Sequence, residues 1–404
     1  MRLGSLAHEH GIGYAAPVIR AASIVIIFSL LGGLLGGCAR VDLPASHHTV
    51  VFGDRLAIPA SIIETPIDMT PVRVDDRHWT VETPLVEFPH EVGFDEALVS
   101  WNISPAPGAG ASIDLMVKSE ARWSPRLRIG SVGDAALLDS PIRRFDDDQG
   151  LVGEIDTDYF RARVGSRVTE LRSARVVVTL VAPPDWSQNA PPGRVSRLSA
   201  CLSATRCARS VRVSRLTKPV DGVFAMNTVP FRSQRTDNPA LSGRLCSPTS
   251  LTMVLAFQGV DRPVGEVAAR VRDPDNDIYG NWPRNIQGAF ELGVPGILTR
   301  FNDWESVAVH LTRGEPIIAS IRAPRGVLHN APYSALDDGH LIVLTGLDGQ
   351  GGVFVNDPAA GTPELGQRVY SMQDLTTAWM KLGKGTAYVL LCPNPPLAEP
   401  GASR

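Results

Sequence analysis

Residues 244–257 read Arg244-Leu245-Cys246-Ser247-Pro248-Thr249-Ser250-Leu251-Thr252-Met253-Val254-Leu255-Ala256-Phe257. The apolar run from Leu251 predicts a helix and places the Cys246 thiol at its mouth. Backbone N–H groups without intrahelical partners and the positive end of the helix dipole favour a thiolate there. A thiolate is the form of cysteine that attacks a carbonyl carbon. Such a nucleophile needs a base and a group to orient it. His340, 94 residues downstream, heads the apolar run Leu341-Ile342-Val343-Leu344, and Asp357 lies in Val355-Asn356-Asp357-Pro358. Between them, Leu347-Asp348-Gly349-Gln350-Gly351-Gly352 predicts the turn of a hairpin. That hairpin would set His340 at one strand's start beside Asp357 at its partner's end, as a Cys-His-Asp triad requires. Upstream, Gln234 follows the extended run Val229-Pro230-Phe231-Arg232-Ser233 and offers a side-chain amide to an oxyanion, alongside the Cys246 N–H. Each residue alone has an ordinary reading as core thiol, strand start or turn former. Their order and hairpin spacing together favour catalysis.

Working outward, helices are expected at Ser250–Gly259, Val264–Val271 and Ile286–Leu292. Strands are expected at 316–321, 341–345, 352–355 and 387–391. A helical lobe followed by an antiparallel sheet is an α+β pattern, assigned to residues 222–396. Within it, Asp277-Ile278-Tyr279-Gly280-Asn281-Trp282-Pro283 reads as a loop walling a cleft, with Tyr279, Asn281 and Trp282 as candidate substrate-binding residues. Residues 86–215 carry short apolar or alternating runs at 98–103, 113–117, 126–129, 159–164 and 174–181. Gly, Pro and Asp punctuate these runs, as in an antiparallel β-sandwich. From Pro183-Pro184 to Pro219, Pro-rich breaks and a Ser/Arg-rich segment read as a connection between domains. Residues 38–85 read as a spacer.

Five separated segments, Val229-Pro230-Phe231-Arg232-Ser233-Gln234, Cys246-Ser247-Pro248-Thr249-Ser250, Gly280-Asn281-Trp282-Pro283, Asp338-Gly339-His340-Leu341-Ile342-Val343 and Val355-Asn356-Asp357-Pro358, occur in order. Together they resemble the C39-like peptidases, papain-fold cysteine peptidases related to the bacteriocin-processing peptidase. The resemblance implies a papain-like peptidase domain, preceded here by the β-sandwich. It also implies Cys246 as nucleophile, His340 as general base and acid, Asp357 as orienter and Gln234 as oxyanion donor. Two departures stand out. Ser247 follows the cysteine where many members have Gly, and Gln234 lies 12 residues before Cys246, a longer gap than in processing peptidases.

The remaining features bound the function. A net charge of −3 leaves no basic footprint for nucleic acid. Arg20 precedes an apolar stretch that ends Leu34-Leu35-Gly36-Gly37-Cys38. Residues 1–37 read as a signal peptide, with an uncleaved membrane anchor as the alternative. The Leu35-Gly36-Gly37-Cys38 ending resembles a bacterial lipobox, which implies Cys38 as the lipidated residue and an extracytoplasmic, membrane-anchored location. The partners expected are a peptide or protein substrate, with cell-wall peptide among the candidates, and the membrane through the lipid. Of the five cysteines, Cys201 and Cys207 are spaced to close a small disulfide loop, and Cys392 reads as a core thiol. There is no CxxC pair and no HExxH, so neither metal nor cofactor is expected. Asp146-Asp147-Asp148, with Asp156 and Asp158, reads as a solvated acidic loop rather than a calcium site. Trp101, Trp123 and Trp186 read as core more readily than as a sugar-stacking surface. Two rival functions fit the same residues: a non-catalytic binder of peptide or cell-wall fragments, and an acyl transferase using the same triad.

Overall fold

In the computed structural model the described residues are 40–53, 62–90, 92–119, 122–146, 152–163, 171–212, 224–225, 228–238 and 240–391. The leader 1–37, Cys38, Asp147, Asp148 and Cys392 lie outside them. Among the described residues, no helix is long and apolar enough to cross a membrane.

The first half of the chain forms two sheets. One comprises β1 (Arg40–Gly53), β2 (Ile63–Thr65), β6 (Glu96–Pro105), β9 (Arg144–Asp146), β10 (Val152–Asp156), β11 (Tyr159–Arg163) and β13 (Gly193–Arg212), in the order β2-β1-β13-β6-β11-β10-β9. The other comprises β3 (Val72–Arg73), β4 (His78–Glu82), β7 (Gly110–Lys118), β8 (Leu127–Gly133) and β12 (Ser173–Val181), ordered β3-β4-β12-β7-β8, with β5 (Val86–Glu87) pairing the start of β12. Alternation explains the pairing. Ile113, Leu115 and Val117 of β7 and Val176, Val178 and Leu180 of β12 meet Val99, Trp101, Leu198, Ala200 and Leu202 of the first sheet in one core. Trp101 is buried there and offers no stacking surface.

Three expectations are corrected. The stretch read as a spacer supplies β1 to β4. The Ser/Arg-rich connection is a 20-residue strand, β13, flanked by β1 and β6. Its small residues disguised it, since a strand buried on both faces needs no polar alternation. Cys201 and Cys207 are free thiols. Both lie on β13, and six extended residues separate them by about 20 Å, far beyond the reach of a disulfide.

The second half carries β14 (Phe224–Ala225), β15 (Gly296–Arg300), β16 (Ile317–Ala323), β17 (Leu336–Leu347), β18 (Gly352–Asn356), β19 (Gln367–Ser371) and β20 (Thr386–Leu390). They order as β15-β20-β16-β17-β18-β19, with β14 pairing β17. Helices α1 (Cys246–Phe257), α2 (Val264–Val271), α3 (Trp282–Glu291) and α4 (Trp304–Thr312) accompany this sheet. Every residue of α1 from Ser247 to Leu255 is buried, as expected of a central helix apolar on all sides. Its hydroxyl residues make that burial possible: Ser250 Oγ donates to the Leu341 carbonyl at 3.0 Å, and Ser247 Oγ pairs with Tyr388 Oη at 2.8 Å.

The central strands of the first sheet are buried on both faces. Val51, Ile62, Leu98 and Cys201 belong to the core of the second half. Side-chain amides extend the contact: Gln287 of α3 accepts from Ile103 N at 3.1 Å and donates to Ile103 O at 2.7 Å. The Asn102 amide likewise donates to Gly296 O at 3.2 Å and accepts from Gly296 N at 3.3 Å.

Candidate active site

Cys246 is the first residue of α1, and Leu245 before it provides no side-chain cap. The Ser247 N–H in the first turn is therefore free of a competing side-chain cap and is available to the thiol. β16 and β17 run antiparallel with Ile321 opposite His340. Gly339, at φ +97°, supplies the backbone turn just before the histidine that a side chain would oppose. β17 and β18 form the expected hairpin, with Val343 opposite Asn356, so Asp357 leaves β18 beside the middle of β17, two residues on from His340.

His340 Nε2 meets Asp357 Oδ1 at 2.8 Å, and both residues are buried. Asp357 has further partners: Oδ1 accepts from Ala359 N at 3.0 Å, and Oδ2 accepts from Tyr370 Oη at 2.7 Å. Tyr333 packs its ring edge-on against His340, centroids 5.4 Å apart. Gln234 donates its N–H to the Pro358 carbonyl at 2.8 Å, while Ser233 Oγ donates to Ala360 O at 2.6 Å. The long gap before Cys246 thus loops back, fastening Gln234 to the segment that bears Asp357. Its side-chain Oε1 is buried without a partner.

Burial would raise the thiol, but hydrogen bonding and charge from His340, with backbone bonds at Leu341 and Ser247, hold Cys246 below the ordinary cysteine value. For His340, burial favours the neutral ring, and the Asp357 carboxylate and the thiol outweigh it and raise the imidazole. Burial likewise opposes the Asp357 charge, but His340, Tyr370 and Ala359 N keep its carboxyl below the usual range. The shifts agree with one another. Both directions favour a proton on the ring, between the sulfur and the carboxylate.

The cleft at Cys246 has a volume of about 710 Å³, and Tyr279, Trp282, Ser320, Arg322, His340 and Lys384 are among its lining residues. Tyr279 lies beneath the Arg244 guanidinium, 5.5 Å from the ring centroid. Asn281 does not line this cleft. It is buried, accepts from Arg284 N at 3.1 Å as the N-cap of α3, and donates to Asp273 Oδ2 at 2.8 Å. A turn-forming residue at a helix start is a cap, and that chemistry consumes its amide.

Sequence reasoning missed Tyr370, Tyr333, Asp158 and Tyr159. Tyr370 lies opposite Val353 on the third strand of the meander, a position that only the register reveals. Asp158, read as part of a solvated loop, is buried and accepts from Trp282 N at 2.6 Å. Among the described residues, no cluster of His, Cys, Asp and Glu is arranged to hold a metal ion.

No curated protein matches this chain. Among solved structures it is similar to a protein described as a C39-like peptidase from Bacillus anthracis, at 20% identity over 42% of this chain and 98% of that one, with a TM-score of 0.33. A double glycine motif protease from an AMS/PCAT transporter, solved with its leader peptide, is 19% identical over 43% and 96%, with a TM-score of 0.28. The peptidase domain of Streptococcus ComA, a bi-functional ABC transporter of a quorum sensing pathway, is 15% identical over 40% and 98%, with a TM-score of 0.29. The model of the Peptidase_C39 like family matches residues 226–387. That segment holds all five sequence motifs together with Cys246, His340 and Asp357, and it is there that the chain is similar to the Peptidase_C39 like family.

Proposed function

We propose that the protein is an extracytoplasmic cysteine peptidase that hydrolyses peptide or isopeptide bonds through a Cys246-His340-Asp357 triad in a papain-like domain. The observation that carries this reading is the buried His340–Asp357 pair, 2.8 Å apart, beside a thiol whose proton affinity is lowered. The Cys246 thiolate attacks the scissile carbonyl carbon, and the carbonyl π pair moves onto oxygen. The Cys246 N–H and the Gln234 amide donate to that oxyanion. With Nε2 engaged by Asp357, His340 Nδ1 carries the proton to the departing amine. The resulting thioester is then cleaved by water, from which His340 takes a proton before returning it to sulfur.

Peptide-library cleavage, read as new termini by mass spectrometry, tests the proposal. The parent protein is expected to cut, and Cys246→Ala or His340→Ala to lose about 10³-fold or more of the rate. Retention of peptides by the parent without new termini would favour a binding protein. Incorporation of an added amine would favour acyl transfer. Attachment through Cys38 is proposed alongside, and the mass of the envelope-extracted N-terminal peptide checks it: unmodified Cys38 in an uncut leader would exclude it.

A further inference from the structure

The cleft wall facing the catalytic segment comes from the other half of the chain. β10 and β11 pair Asp156 with Tyr159 across the two-residue turn Thr157-Asp158, and residues 156–159 all line the cleft that holds Cys246 and His340. Thr157 sits at φ +60°, a left-handed conformation costly for a β-branched residue. The Asp158 N–H turns back to the Asp156 carbonyl at 2.7 Å, and Arg143 donates to the Thr157 carbonyl. Tertiary contacts hold the tip in place. The Asp158 carboxyl takes the Trp282 N–H at the start of α3, and Arg161 clamps Asp156 at 3.0 Å. Tyr159 then lies against Trp282, ring centroids 5.9 Å apart and 31° between planes. Both rings are half-buried and both line the cleft. Half-exposed rings fixed by neighbours on both sides present apolar area at low entropic cost.

We propose that the β10–β11 hairpin is a specificity-determining wall of the peptidase: Tyr159 and Trp282 form an aromatic ledge that takes a bulky apolar side chain of the substrate peptide, two halves of the chain thereby building one subsite. The proposal rests on the peptidase reading and deepens it. The ledge belongs to the cleft of the nucleophile, so a peptide with its carbonyl at Cys246 passes over it.

The test profiles one peptide library, varied through Ala, Leu, Phe and Trp at each position, against the parent, Tyr159→Ala and Tyr159→Phe. The parent is expected to prefer bulky apolar residues over Ala at one position. That ratio should fall about tenfold or more in Tyr159→Ala and survive in Tyr159→Phe, which keeps the ring. Each ratio is internal to one protein, so a loss of folded fraction cancels. The same library is measured for equilibrium binding to Cys246→Ala and to Cys246→Ala with Tyr159→Ala, so the ledge can be read even if no peptide is cut. Binding selectivity without cleavage would sink the peptidase reading and keep the ledge. Cleavage with no bulky-apolar preference, or one unchanged in Tyr159→Ala, would overturn the ledge and keep the peptidase.

Discussion

At the scale of single residues, the site depends on a carboxylate that is buried and nonetheless charged. Asp357 has no exposed surface, and its charge persists because His340, Ala359 N and Tyr370 Oη occupy its oxygens. Tyr370 touches no reacting atom. It is a positioning residue, and Tyr370→Phe removes one hydrogen bond to a charged acceptor, worth about 1.5–3 kcal/mol. The Asp357 carboxyl would rise and hold the imidazolium less well, so the thiolate window of Cys246 should narrow from its alkaline side. A fall of about tenfold in kcat with KM little changed, plus that displaced limb in the pH profile, is expected. An unchanged profile would make Tyr370 a packing residue only. The placement of Cys246 at a helix start and of His340 and Asp357 on one hairpin was legible because these are local patterns. Tyr370 was not, since its approach to Asp357 depends on a third strand whose register is set by packing.

At the scale of elements, two side-chain amides act as pieces of strand edge. Gln287 satisfies both backbone groups of Ile103, and Asn102 those of Gly296. These groups are buried, so losing their partners exposes a cost rather than a saving. Gln287→Ala is expected to lower unfolding free energy by about 2–4 kcal/mol, for two hydrogen bonds lost in a buried place, as read by denaturant titration. A change below about 0.5 kcal/mol would mean that water replaces the amide. The helices α1 to α3 were legible to within a few residues because their apolar runs are long. β13 was not. Ser199 and Ser203 are buried on it, and Ser199 Oγ pairs with Ser100 Oγ at 2.5 Å. A strand with small residues on a covered face carries no alternation to read.

At the scale of the whole molecule, the two halves share a core and a buried ion pair. Glu96 of β6 meets Arg300 of β15 at 2.6 Å, with Lys384 beside it. Burial opposes the Glu96 charge, and the two cations outweigh it and hold its carboxyl below the usual value. A lowered carboxyl stabilises the fold above the unfolded-chain value, about 4.3, and that contribution is lost as pH falls through the lower folded value. Glu96→Gln leaves Arg300 buried and under-compensated, a loss of about 3–5 kcal/mol. Residues 38–404 should still unfold in one transition by calorimetry, with both halves melting together. Two separated transitions in the parent would contradict the shared core. The proposed mechanism needs an ionised thiol, and alkylation of Cys246 by iodoacetamide, followed from about pH 4 to about pH 10, measures that directly. The parent should react below the ordinary thiol range of about 8.5, and His340→Ala should move the midpoint to or above that range, where burial acts unopposed. A parent midpoint at the ordinary value, indifferent to His340→Ala, would contradict Cys246 as the nucleophile.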